Sequence, residues 1–146
     1  MRIGISFQIP NEHGYLLSKL LSCVDTESYF WDVRSDEIYS NNLEYPISGT
    51  YTGKELLQIL PKEKAYVLFA IMHAYVGEPC PLHTLEDFLQ GTCEISIFIV
   101  DVTEIEVYCT QPSMLSVLSE NIKEVFKVEV GEITKETCQR ACWDCP

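Results

Sequence analysis

The N-terminal segment places Ile3, Ile5, Phe7 and Ile9 against Gly4, Ser6 and Gln8, the period-two alternation of a half-buried strand. Pro10 and Asn11 then open a helix whose apolar side is Leu16, Leu17, Leu20 and Leu21, with Glu12, Ser18 and Lys19 facing outward; this i, i+1, i+4, i+5 spacing is a buried stripe. Residues 29–39 are rich in aromatic and β-branched side chains and are interrupted near Ser35-Asp36, which predicts a pair of strands joined by a tight turn. Residues 41–50 read as loop. Thr52-Gly53-Lys54-Glu55 forms a capping box ahead of Leu56, Leu57, Ile59 and Leu60, and Pro61 stops that helix.

Residues 65–76 are apolar on both alternating faces, as in a central strand covered above and below. Thr84 with Asp87 starts a short helix through Leu85, Phe88 and Leu89 that ends at Gly91. Ile95, Ile97 and Ile99 alternate with Ser96, Phe98 and Val100; the pattern resumes after Asp101, with Ile105 and Val107 on one side and Glu104, Glu106 and Tyr108 on the other. So short a link predicts an antiparallel pair. Pro112 suits the first turn of a helix with Met114, Leu115, Leu118, Ile122 and Val125 inward, and residues 126–130 read as a last strand. The expected architecture is α+β, a mostly antiparallel sheet of about five or six strands with three or four helices. No repeat or linker divides the chain, so one domain is expected over residues 1–146, with 134–146 as a Cys-rich tail.

Charge narrows the function classes. The formal net charge is −12, and residues 65–122 hold no Lys or Arg while carrying Glu78, Glu86, Asp87, Glu94, Asp101, Glu104, Glu106 and Glu120. Nucleic-acid and anionic-membrane binding both rest on Lys and Arg, so neither partner is expected. A neutral or basic partner is. Hydrophobic residues at 47% are too abundant for a disordered chain. The apolar run 65–76 is far shorter than the ~20 residues of a membrane helix. The alternating N-terminus lacks the apolar run of a secretion signal, which points to the cytoplasm. Seven cysteines in that setting are free thiols, metal ligands or redox groups, and the odd number opposes a complete internal disulfide set.

Gly4-Ile5-Ser6-Phe7-Gln8-Ile9-Pro10-Asn11-Glu12, Leu85-Glu86-Asp87-Phe88-Leu89, and Phe98-Ile99-Val100-Asp101 followed by Glu106-Val107-Tyr108-Cys109 resemble, in order and over nearly the whole chain, an uncharacterised domain-of-unknown-function family. Its members are small cytoplasmic proteins from Gram-positive, spore-forming bacteria. The resemblance implies a bacterial cytoplasmic single domain with no assigned activity. It transfers no functional residues, and the Cys-rich end lies outside it.

Candidate chemistry concentrates in that end. Cys138, Cys142 and Cys145 have the C-x3-C-x2-C spacing of an iron–sulfur motif and the density of a zinc site, and Cys80 with His83 supplies two further ligands at half-site spacing. The plainer reading makes the tail thiols one face of a terminal helix packing on the core as small hydrophobes, so that deleting residues 134–146 leaves the fold intact, and makes Cys80-Pro81-Leu82-His83 a Pro-flanked loop. Cys142 and Cys145 as a thioredoxin-like pair lack the preceding strand and helix N-terminus that depress a thiol pKa. His73, beside Phe69, Ile71 and Tyr75 on a strand, reads as a satisfied core histidine. Residues 49–55 imitate a phosphate-binding loop but have three residues between the glycines and Glu55 where Ser or Thr is needed.

Asp101, Glu104, Glu106 and Tyr108 form the candidate binding face, an aromatic flanked by acids on a solvated strand. With no catalytic signature, the expected function is non-enzymatic binding of a basic protein, as an inhibitor or immunity factor would. The alternative is a metal-binding or thiol-dependent protein using the C-terminal cysteines.

Overall fold

A computed structural model describes residues 1–145, apart from the side chain of Asp36. Its strands are β1 (Arg2–Gln8), β2 (Phe30–Ser40), β3 (Leu43–Glu44), β4 (Gly49–Thr52), β5 (Ala65–Tyr75), β6 (Cys93–Val100), β7 (Glu104–Cys109) and β8 (Gly131–Thr134). The helices are α1 (Leu16–Ser22), α2 (Gly53–Ile59), α3 (Leu85–Gln90) and α4 (Pro112–Phe126), with a single 3-10 turn at Thr26–Ser28. All strands join one sheet in the order β3-β2-β5-β6-β7-β1-β8, with β4 pairing β2, and every pairing is antiparallel.

Among the described residues the sheet therefore has eight strands, which corrects the expected five or six. The α+β class and the antiparallel pattern are kept. The additional strands are β3, β4 and β8, of 2, 4 and 4 residues. Such lengths are too short to show a period of two, and β3 and the first half of β4 fall in the stretch 41–50 read as loop. Residues 126–130 are not a strand: α4 runs to Phe126, Lys127 adopts the left-handed conformation (φ 56°), and β8 begins at Gly131. Residues 30–40 form one strand rather than two, because the interruption at Ser35-Asp36 is a register shift between Arg34 and Glu37 and not a turn.

Each face of the sheet has its own core. On one side Leu16, Leu17, Leu20 and Leu21 of α1, Leu56 of α2, and Leu115, Leu118 and Ile122 of α4 pack on Ile5, Trp31, Val33, Met72, Ile97, Ile105 and Val107. The capping box at Thr52 and Glu55 forms as the sequence predicts. Gly53 opens α2 against the 3-10 turn, where an added Cβ would lie 2.0 Å from the Thr26 carbonyl oxygen; only glycine allows that approach. On the other side Ile3, Ile71, Tyr75, Phe98, Tyr108 and Ile133 of the sheet are covered by Phe88 of α3, by Leu82 and by Trp143 of the tail. Gly4 of β1 leaves space for Tyr108, whose ring would lie 2.7 Å from a Cβ at that position.

The tail is not a helix. After β8 it crosses the second face as irregular chain, and Trp143 is fully buried at its end, stacked on Phe88 at 5.3 Å and tilted against Tyr108 at 4.7 Å. One large aromatic near the terminus completes the second core. No helix among the described residues is long and apolar enough to cross a membrane.

Candidate functional site

The tail is held to the sheet by a closed polar circuit. The Trp143 indole Nε1–H donates to Ser96 Oγ at 3.1 Å, Ser96 Oγ lies 2.8 Å from His73 Nδ1, and His73 Nε2 lies 3.0 Å from the Trp143 carbonyl oxygen. One assignment satisfies all three contacts: the neutral imidazole with its proton on Nε2, donating to Trp143 and accepting from Ser96. Burial pushes the His73 pKa down to about 4, opposed by the bond to Trp143 and reinforced by Arg34 and Arg140. His73 is thus the satisfied core histidine read from the sequence. The partner it satisfies, a backbone carbonyl 70 residues away, has no local signal.

Around Trp143 the backbone is fixed from three further directions. Its N–H donates to the His83 carbonyl at 3.0 Å, Arg34 Nη1 donates to the Asp144 carbonyl at 2.9 Å, and Arg140 Nη1 donates to the Cys145 carbonyl at 2.9 Å. Arg140 is itself locked, with Nε 2.8 Å from Glu106 Oε1 and its guanidinium carbon 3.8 Å from the Phe98 ring centroid. Trp143 points inward while Cys142, Asp144 and Cys145 remain outside the core. Cys142 and Cys145 form a disulfide with Cα atoms 5.7 Å apart. Asp144 Oδ1 lies 2.9 Å from Cys142 Sγ, and Asp144 Oδ2 accepts from His83 Nδ1 at 2.8 Å. That bond holds the Asp144 carboxyl below the usual carboxylate range.

Of the five cysteine and histidine candidates, the structure gathers three. Cys142 and Cys145 are bonded and His83 reaches them through Asp144, whereas Cys138 lies 3.8 Å from the Tyr108 hydroxyl and Cys80, though exposed, is not part of the cluster. His83 sits there because the second capping box, Thr84 with Asp87, fixes the start of α3 and Asp87 Oδ2 also accepts from the His83 N–H at 2.9 Å. Asp144, Arg140 and Arg34 went unread as site residues. Asp144 lies inside the C-W-D-C motif and was open to notice; the two arginines are brought in by topology alone.

The face proposed for a basic partner is partly occupied. Tyr108 is fully buried under the tail, its hydroxyl 3.1 Å from Glu106 Oε1, and Glu106 is paired to Arg140. Only Asp101, in a left-handed turn (φ 50°), and Glu104 stay exposed. Period-two alternation places Glu106 and Tyr108 on one side of β7 correctly but carries no information about what covers that side.

A protein of Bacillus subtilis (strain 168) named "Uncharacterized protein YncE" is 26% identical over 148 residues, covering 96% of this chain and 97% of that protein. No solved structure matches. The family pattern described as "Protein of unknown function (DUF2691)" matches residues 2–144, through the Trp143 anchor and Asp144, and the chain belongs to that family.

Proposed function

We propose that this chain is a thiol-dependent protein whose working site is the pair Cys142 and Cys145. One observation carries the reading: the sulfurs of C-W-D-C meet in a disulfide outside the core while the Trp143 between them is fully buried. The motif is therefore anchored, with its reactive atoms left at the surface. Cys142 also lines an open depression with Glu106, Gln139, Arg140 and Ala141. Interconversion of dithiol and disulfide takes two electrons and two protons from an external dithiol, which leaves as a disulfide. Three of the other thiols compete poorly, since burial raises the pKa of Cys23 and Cys109 and pushes Cys93 up to about 12.

The relative from Bacillus subtilis is in keeping with a Gram-positive, spore-forming source; in a reducing cytoplasm such a disulfide would be transient. Alkylation and mass measurement across a series of dithiol-to-disulfide ratios tests the reading. Cys142 and Cys145 are expected to gain and lose protection together, with Cys23, Cys93 and Cys109 unchanged. Failure of the pair to close under mild oxidant, or its pairing with Cys80 or Cys138 instead, counts against it.

A second reading is a binding domain for a basic protein, of the inhibitor or immunity kind. It is favoured by the net charge of −12 and by a cleft of about 360 Å³ between α1 and α4, whose apolar lining includes Val24, Tyr29, Met114, Val117 and Leu118, with Asp25 at its edge. Val117 is 59% exposed there. An apolar floor beside acidic charge suits the stems and heads of Lys and Arg. Asp25→Lys with Val117→Asp should abolish salt-sensitive capture of a basic protein; unchanged capture removes this cleft from consideration.

A further inference from the structure

The Sγ atoms of Cys142 and Cys145 and a carboxylate oxygen of Asp144 lie within 4.8 Å of one another. Their scaffold is already built. The bonds from Trp143 to His83, from His73 to Trp143, from Arg34 to Asp144 and from Arg140 to Cys145 all engage backbone atoms of this turn. The turn thus has backbone anchors in addition to the Cys142–Cys145 disulfide and the Asp144–His83 bond. A ligand set presented in this way loses little entropy on binding.

A carboxylate oxygen of Asp144 lies 2.9 Å from Cys142 Sγ, so an oxygen donor and a sulfur donor sit side by side on irregular chain, a pairing that zinc accepts. The other oxygen of Asp144 is fixed by His83 Nδ1–H at 2.8 Å, the kind of outer hydrogen bond that orients a metal ligand.

We propose that the reduced tail is a zinc site, with Cys142, Cys145 and Asp144 as ligands and His83 as the residue that positions Asp144. The inference rests on the assignment of the tail as the working site. An external dithiol first delivers two electrons and two protons to the disulfide and departs as a disulfide itself; zinc then displaces both thiol protons to solvent. Zn–S and Zn–O bonds of about 2.3 and 2.1 Å place tetrahedral ligand atoms roughly 3.5–3.8 Å apart, so the two sulfurs, bonded to each other here, must move apart on reduction before they share a metal. The fourth position is open to water. Two thiolates with a carboxylate suit zinc, whereas an iron–sulfur cluster needs about four cysteines, and Cys80 and Cys138 stay outside the group. Zinc and the disulfide exclude one another, so oxidation releases the metal.

The test uses the full chain, reduced with a phosphine under anaerobic conditions and titrated with zinc against a chromophoric chelator. One equivalent is expected, bound with Kd below about 1 μM and released by a thiol oxidant. Asp144→Asn and His83→Ala should weaken it roughly 10–100-fold. The Cys142→Ser/Cys145→Ser double variant should abolish it and, in the cobalt(II) form, remove the thiolate-to-metal absorption. Each variant's melting temperature shows whether it is folded. Absence of zinc at about 10 μM, zinc retained by the double serine variant, or zinc indifferent to Asp144→Asn would each overturn the site. Disulfide cycling measured on the same sample separates the two readings. Cycling without zinc removes this inference and leaves the thiol reading; zinc without cycling removes the thiol reading and the oxidative release, and leaves only a metal site.

Discussion

Replacing His73 by Gln should flatten the acid dependence of stability. His73 is 5% exposed, and its pKa falls from 6.5 to about 4 because burial disfavours the imidazolium. Protonation would also place a second donor on Nδ1, where Ser96 Oγ at 2.8 Å now serves as the donor and already accepts from the Trp143 indole. A folded pKa below the unfolded one means the unfolded chain binds the extra proton first. The stability contributed by neutral His73 is therefore complete above pH 6.5, is lost as pH falls through the window from 6.5 to about 4, and changes no further below it. At about 1.4 kcal/mol per pKa unit, the full window is worth roughly 3 kcal/mol, of which about 2 kcal/mol is gone at pH 5. Gln can donate to the Trp143 carbonyl and accept from Ser96, so it preserves the circuit and does not titrate. Urea unfolding at pH 7.5 and pH 5 checks this, with an m-value of about 1–3 kcal/mol/M setting the midpoint shift. Wild type should lose about 2 kcal/mol more than His73→Gln between the two pH values. Asp87, Asp144, Glu55 and Glu136, held low by their hydrogen bonds, titrate in both proteins and cancel in the difference. Parallel losses within about 0.5 kcal/mol would show that His73 is hydrated or already protonated, and would refute the circuit.

Trp143→Ala should cost about 3–5 kcal/mol as a core truncation and should expose Cys93, buried in the same cluster, to alkylation; a loss below about 1 kcal/mol would mean the tail is not seated. Gly53→Ala should destabilise by at least about 1–3 kcal/mol, because its Cβ would fall 2.0 Å from the Thr26 carbonyl oxygen, with urea midpoints as the measure. Neutral or stabilising behaviour, as helix propensity alone would give, would show that α2 sits farther from the 3-10 turn. A mobility-shift assay at low salt should show no DNA or RNA binding at micromolar protein, since residues 65–122 offer no Lys or Arg, and a clear shift would overturn the charge argument.

Elements that carry their own signal were legible in the sequence. The stripe Leu16, Leu17, Leu20 and Leu21 is buried as read, and both capping boxes, at Thr52 and Thr84, form with reciprocal bonds. Start positions were less secure: α1 begins at Leu16 rather than near Pro10, since Gly14 first bridges to Ala65. The missed strands depend on partners, not on their own pattern. β3 has both residues exposed and exists only because it pairs Tyr39 and Ser40 of β2. The same distinction separates Ile105 and Val107, which any reading of β7 buries, from Tyr108, whose burial depends on the tail.

The tail shows why the site was only half visible. Its thiols were counted by spacing, and spacing did find Cys142 and Cys145, yet the residue that turns them into a site is the Trp between them. A Trp near a polar terminus is a local sign of an anchor, because about 200 Å² of aromatic surface left in water is costly. What receives that anchor has no such sign: Ser96, His73 and Phe98 come from β5 and β6, and His83 comes from the loop before α3. Arg140 completes the arrangement by stacking on Phe98 and pairing with Glu106. That pairing removes Glu106 from any exposed acidic face while it buttresses the cysteine turn. The contacts that cover Tyr108 and pair Glu106 on the acidic strand are therefore the ones that hold the cysteine turn, while Asp101 and Glu104 stay exposed.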